Sequence, residues 1–458
     1  MALFCFFHSP IPPIIGQFFI VPYKNSLMDQ TGIDEIGRKE YDRMEKTRAK
    51  PFGKGFLTCK QEVIMGKYNF DEIIDRVHEE GSLSSKWSNN ERMATMFLTD
   101  KLPEDRLCFF VADMDFRCAP PIIEAIKKVA NHGIFGYSVV PDEYYNAVCR
   151  WMKDRFSLEV KAEQIRCYSG AHSAVVAAIQ KLTKPGDGII IPHPTYYYTN
   201  DVIPQGRYYA SFQMKNDNGY YTFDWEAFEA LCKNPQNTAV ILQQPHNPTG
   251  RIWTEEEIKK ITKICRDNNV LMICDDVHMD FPRNGNKIVP FINVVGPEGI
   301  VLITGLGKTF NLAGLHITNM IVQDEALLEK IGPVRAALSP FSTAACIAAY
   351  TECDEWVDEL NAYLDESVNY VVDRLHNELP KLKVFRPEGT YILWMDFTDF
   401  GMTAEEINQK IAGEAHIGLS DGAGMFPPEG TIFRRMCVTS PKSVMKEAVD
   451  RLVKAFNG

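Results

Sequence analysis

Four short, almost unbroken apolar runs, at 186–192, 238–242, 270–274 and 300–304, constrain this 458-residue chain more than any other feature. Runs without polar alternation cannot lie with one face in water. They read as strands covered on both faces, and so as a mostly parallel sheet sandwiched by helices, an α/β class. The intervening segments carry the helices this requires. Thr254-Glu-Glu-Glu257 is a capping box, in which the threonine hydroxyl accepts from the third backbone amide and Glu257 reaches back. Ile258, Ile261, Ile264 and Cys265 follow at helical spacing and give that helix one apolar face. Segments 171–182 and 355–378 behave similarly.

The flanks differ in texture. After about residue 350, long amphipathic helices alternate with strands at 391–397 and 432–438, which predicts a smaller α+β domain. At the other end, residues 1–20 are apolar but interrupted by Pro10, Pro12 and Pro13, and no basic stretch precedes them. They fit neither a signal peptide nor a membrane anchor. A polar, aperiodic stretch follows, so 1–64 is expected to be a poorly ordered extension ahead of Met65 and a first patterned segment at 68–77. The expected division is then 65–132, contributing to the small domain and the site's rim, 133–350 as the large domain, and 351–458 as the small one.

Composition excludes several function classes. A net charge of −11 with scattered Lys and Arg argues against a nucleic-acid partner. The twelve cysteines contain no Cys-x-x-Cys pair, so neither a metal site nor a disulfide framework is indicated; reduced thiols fit a cytoplasmic protein.

Candidate chemistry clusters just after the apolar runs. Lys308 is a single amine bracketed by Gly305, Gly307 and Gly314. An arbitrary lysine is a surface residue, but this setting lets the backbone approach a bulky ligand. Asp275 ends an apolar run, and ligands of such sheets bind at the carboxyl ends of the strands. Its carboxylate faces either solvent or a protonated ring nitrogen, and Asp276 would point the other way. Asn247, in Asn247-Pro-Thr-Gly250, is turn chemistry or a hydrogen-bond donor, and His278 is structural or its assistant. Ser169-Gly-Ala-His172 joins a strand to a helix and offers free amides to an anion. Tyr196 is core, surface, or a ring stacked on a planar ligand. The order Asn247, Asp275, Lys308, each after a hydrophobic strand, is what a pyridoxal phosphate enzyme requires.

Six motifs carry a resemblance: Ala112-Asp-Met-Asp-Phe116, Gly133-Ile-Phe-Gly-Tyr-Ser138, Pro245-His-Asn-Pro-Thr-Gly250, Cys274-Asp-Asp-Val-His-Met-Asp280, Lys308-Thr-Phe-Asn-Leu-Ala-Gly-Leu315 and Leu419-Ser-Asp-Gly422. From about residue 68 to 452 the chain resembles the fold-type I pyridoxal phosphate enzymes of the class I/II aminotransferase family, and within it the MalY/PatB-type cystathionine β-lyases. The resemblance implies Lys308 as Schiff-base lysine and proton shuttle, and Asp275 as partner of the pyridine nitrogen. It implies Asn247 and His278 beside the phenolic oxygen, Tyr196 as the stacking ring, and Gly170, Ala171 and His172 around the phosphate. Arg435 would grip the substrate α-carboxylate, with Arg434 the alternate, and Asp115 would also stand at the substrate. Tyr137 would reach the neighbouring subunit's phosphate in a homodimer. Departures occur at Gly305 and Gly307, where hydroxyls are usual, and at His316, where an arginine is common; Thr304 and Thr309 are the expected compensation. The implied reaction is α,β-elimination of cystathionine or another cysteine S-conjugate to a thiol, pyruvate and ammonia. The alternatives are an aminotransferase and, from another class, a regulatory or interaction protein on the same fold.

Overall fold

The computed structural model describes residues 66–458 apart from 89, 99–101, 335–337 and 428, so the expected extension at 1–64 lies outside the described residues. Seven strands form the central sheet: β1 Ile165–Tyr168, β2 Gly188–His193, β3 Tyr208–Gln213, β4 Asn237–Leu242, β5 Leu271–Asp275, β6 Ile300–Gly305 and β7 Thr318–Ile321. Their order across the sheet is β1-β7-β6-β5-β4-β2-β3. β7 runs antiparallel to both β1 and β6, while the other neighbours are parallel.

The four apolar runs become β2, β4, β5 and β6, and their alternate side chains sort into two cores. Ile190, Val240, Met272 and Leu302 face one side, where Ile258, Ile261 and Cys265 of helix Glu255–Asp267 cover them. Ile189, Ala239, Ile273 and Val301 face the other, against Ala174, Val175, Ala178 and Ile179 of helix Ala171–Leu182. Burial on both faces explains why the sequence shows no polar alternation there. The carboxyl ends of β1, β2, β4, β5 and β6 therefore share one edge with the start of β7, and this is where the candidate residues gather.

A second sheet has the order β8-β9-β11-β10, with β8 Lys383–Val384, β9 Ile392–Asp396, β10 Ser420–Asp421 and β11 Phe433–Cys437, all neighbours antiparallel. Helix Asp354–Glu378 links the cores: Trp356, Val357 and Leu360 pack with the large sheet, while Val368, Val371 and Leu375 pack with the small one. Segment 68–77, expected to be regularly patterned, forms turns instead. Its apolar Phe70 docks edge-on against Phe116 and Trp356, so aromatic packing rather than periodicity places it. Among the described residues no helix is long and apolar enough to cross a membrane.

Candidate active site

A cavity of about 390 Å³ opens at the carboxyl edge of the large sheet, lined by Lys308, Asp275, His278, Asn247, Tyr196 and the Gly170–His172 turn. Lys308 lies on the short helix Leu306–Thr309 that β6 feeds directly. Its Nζ donates to the Ala112 carbonyl at 2.9 Å. Burial, and then the nearby Arg435 cation, push the amine below the ordinary lysine range, which favours the neutral, nucleophilic form. The segment that carries this acceptor is held two and four residues further on. Asn311, in the left-handed region at φ 59°, accepts from the Met114 amide at 2.9 Å and donates to the Met114 and Phe116 carbonyls. The motifs at 112–116 and 308–315 thus face each other across the cavity wall.

Glycine at 305 answers to the protein rather than to a ligand. A Cβ there would stand 2.9 Å from the Ile317 carbonyl of the adjoining chain, so the close approach of the β7 segment requires its absence.

Asp275 is 7% exposed, and its carboxyl is only half satisfied. Oδ2 accepts from the Tyr198 hydroxyl at 2.7 Å, while Oδ1 is buried without a partner. Burial raises its pKa, and the Tyr198 bond offsets part of that rise. Gln243 donates to the Tyr198 oxygen at 2.9 Å, so a Gln243–Tyr198–Asp275 chain stands behind the orphaned oxygen. Tyr198 and Gln243 were not singled out in the sequence; the signal available was the Tyr196-Tyr-Tyr198 run, whose last ring is buried. Asp276 points away, as strand alternation requires, and accepts the Gln244 amide at 2.9 Å. His278 is buried with an unpartnered Nδ1; burial, then Lys308 and Arg435, drive its pKa well below the usual imidazole value and keep it neutral.

The opposite end of the cavity is built for an anion. Gly170 adopts φ 106° as it turns into helix Ala171–Leu182, presenting that helix's first free amides. His172 Nδ1 lies 2.8 Å from Asp201 Oδ2, and this hydrogen bond raises the imidazole pKa despite partial burial. Its Nε2 lies 3.3 Å from the Tyr196 hydroxyl. Ser169, His316 and Thr318 complete the wall; Ser169 and Thr318 bring the hydroxyls that positions 305 and 307 lack. The two threonines expected to compensate do not line the cavity. Thr304 Oγ1 is buried without a partner, and Thr309 Oγ1 donates to Asp280 at 2.5 Å.

Arg435 and Arg434, adjacent on β11, take opposite faces. Arg434 spends its donors on Thr431, Phe433 and Ala404 carbonyls and on Asn408. Arg435 bonds the Phe110 carbonyl at 3.1 Å and Asn247 Oδ1 at 3.3 Å, and its buried Nε has no partner. It lines a wider cleft of about 940 Å³ that meets the cavity at Ala112, Tyr196 and Lys308. Two expected residues stand elsewhere. Asp115 is bound to Lys86 at 3.0 Å, Arg76 at 2.5 Å and Ser440 at 2.6 Å, which consumes its carboxylate in an ion cluster outside the cavity. Tyr137 is fully exposed in a loop whose neighbours Ile134, Phe135 and Val139 are also exposed.

An amine of depressed pKa, a carboxyl with one orphaned oxygen and an anion cup at a helix start are what a phosphorylated pyridine aldehyde needs. Residues 109–452 match the family described as aminotransferase class I and II. The chain belongs to that family. It is 32% identical to the cystathionine β-lyase PatB of Bacillus subtilis, over 85% of this chain and 100% of that protein. It is 26% identical to protein MalY of Escherichia coli, over 85% and 99%. Cystalysin from Treponema denticola, solved with pyridoxal 5'-phosphate, superposes with a TM-score of 0.79 at 29% identity, covering 85% of this chain and 99% of that one. The pyridoxal phosphate-bound C-S lyase of Staphylococcus hominis gives 0.76 at 28% identity, covering 85% and 98%. The fold is that of the fold-type I enzymes, and pyridoxal 5'-phosphate is the cofactor.

Proposed function

We propose that this protein is a cysteine-S-conjugate β-lyase that takes L-cystathionine or a related thioether to a thiol, pyruvate and ammonia. The observation that carries it is the joining of the Lys308 amine, the orphaned Asp275 oxygen and the Arg435 guanidinium in one continuous cavity and cleft, in a chain 32% identical to PatB along that protein's whole length. Pyridoxal phosphate, when bound, supplies an electron sink for charge developing at Cα. The residues do the rest. Lys308 Nζ accepts the Cα proton, a role favoured by the lowering of its pKa through burial and the nearby Arg435 cation. The Cβ–S bond then breaks with its electron pair leaving on sulfur, and hydrolysis of the remainder gives pyruvate and ammonia. Asp275 Oδ1 would meet the protonated ring nitrogen, Asn247 and neutral His278 the phenolic oxygen, and Tyr196 the ring face. Gly170, Ala171 and His172 would hold the phosphate. Arg435 would hold the α-carboxylate through a charge-assisted pair that fixes Cα for deprotonation.

Assembly, location and domain boundaries belong to the same reading. A homodimer, with Tyr137 reaching the partner's cofactor, is supported by the apolar loop exposed around it. A cytoplasmic location is supported by the ten described cysteines, all free. A small domain built from both flanks, 65–132 and 351–458, is supported by the parallel pairing of Leu107–Cys108 with Ile417–Gly418. The reaction is tested by incubating holoenzyme with cystathionine. Pyruvate and free thiol formed without a keto acid support the lyase; amino-group loss that depends on added keto acid identifies an aminotransferase instead.

A further inference from the structure

The cleft beyond Lys308 is larger than a short S-alkyl arm requires, and its walls carry two charges that the chemistry above does not use. Met96, Phe110, Val111 and Leu419 on its lining are suited to methylene groups. Arg92 lies on the lining with its guanidinium carbon 5.2 Å from the centroid of the Phe110 ring. It has no ion pair or hydrogen bond among the described residues, whereas Arg434 and Arg435 spend donors on carbonyls and amides. Phe110 separates the two cationic positions: its carbonyl accepts from Arg435 at 3.1 Å and from Ser420 at 2.8 Å, while its ring faces Arg92. Asp421 also lines the cleft. One of its oxygens accepts the Ala423 amide at 3.0 Å, its main-chain carbonyl accepts from Tyr197 at 3.2 Å, and its carboxylate has no ion pair among the described residues.

Two opposite charges, on walls of one cleft and not bonded to each other, complement a group that carries both signs. We propose that Arg92 and Asp421 form a distal subsite for an amino-acid head group on the departing arm of the thioether, Arg92 taking its carboxylate and Asp421 its ammonium. The inference rests on the lyase reading and narrows it to thioethers whose leaving thiol is itself a zwitterionic amino acid. Arg435 fixes the end that reacts, and the distal pair selects the end that leaves.

The test compares three substrates of the holoenzyme: cystathionine, S-(3-carboxypropyl)cysteine, which keeps the distal carboxylate but lacks the ammonium, and S-ethylcysteine, which lacks both. In Arg92→Ala the kcat/KM for cystathionine and for the carboxypropyl compound should fall roughly tenfold relative to S-ethylcysteine, mainly through KM. In Asp421→Asn only cystathionine should lose ground, by roughly threefold. Equal losses on all three substrates would mean that the residues act structurally and would overturn the subsite, as would no loss on any. If the wild type releases pyruvate from none of them, the lyase reading falls by itself. The subsite is then judged from binding, by titrating the three compounds against the cofactor's visible absorbance: preference for cystathionine that disappears in Arg92→Ala upholds it, and no preference overturns it.

Discussion

Two buried aspartates keep very different company: Asp275 lines the cavity, and Asp115 sits in an ion cluster outside it. Asp275, at the end of β5, keeps one oxygen orphaned, and burial raises its pKa. Asp115, outside the cavity, would be raised by burial too, but Lys86 and Arg76 outweigh that and hold it below the ordinary carboxylate range. One region leaves a charge uncompensated for an incoming cation; the other is already neutralised. Burial alone therefore does not mark a functional carboxylate, nor does an orphaned oxygen, since Asp276 has one too; the orphaned oxygen of a carboxylate that lines the cavity does.

Substitution breaks the comparison in opposite ways. Asp115→Asn leaves the fully buried Lys86 without its nearest carboxylate, so unfolding stability should drop by about 3 kcal/mol, read by denaturant melts, with activity per folded molecule little changed. A stable variant with impaired kcat would place Asp115 in the chemistry after all. Asp275→Asn should cut kcat roughly a hundredfold while leaving the cofactor-free protein at least as stable as wild type.

Their pH dependences sharpen this. A raised folded pKa means the native state binds its proton more tightly, so the Asp275 contribution declines as pH rises above the ordinary carboxyl value of 3.8 and through the folded pKa. The Asp115 contribution has the opposite sign: it is present above 3.8 and lost as pH falls through the lowered folded pKa. Cofactor-free Asp275→Asn should therefore lose the decline that wild type shows on the rising-pH side, measured as unfolding free energy against pH.

A smaller effect is expected at the phosphate end. His172 is charged below a pKa raised above 6.5, so His172→Asn should weaken cofactor retention more below pH 6.5 than above that raised pKa, measured by equilibrium dialysis. Least of all, Thr304→Val removes an unpartnered buried hydroxyl and should leave stability equal or up to about 1 kcal/mol higher with unchanged kinetics.

Legibility follows the same divide. Strands β2, β4, β5 and β6 are buried on both faces, so their apolar runs announced them, as did the capping box of helix Glu255–Asp267. The residues those strand ends carry, Asp275 and Lys308, came with them. β3, half exposed at the sheet edge, and the short β1 and β7 have no comparable pattern, and Thr318 was hidden with β7. Outside the cavity, Asp115 is placed by partners 29 and 39 positions away and by Ser440 at a separation of 325, which no local pattern encodes. Thr304 was misplaced because alternation along β6 turns its side chain into the interior rather than toward the cavity that Gly305 lines.

The central claim is that the Lys308 amine carries the cofactor. Holoenzyme reduced with borohydride, digested and mapped by mass spectrometry should show the pyridoxyl adduct on the peptide containing Lys308, and Lys308→Ala should show none. An adduct on another lysine, or no adduct in cofactor-saturated wild type, would contradict the account.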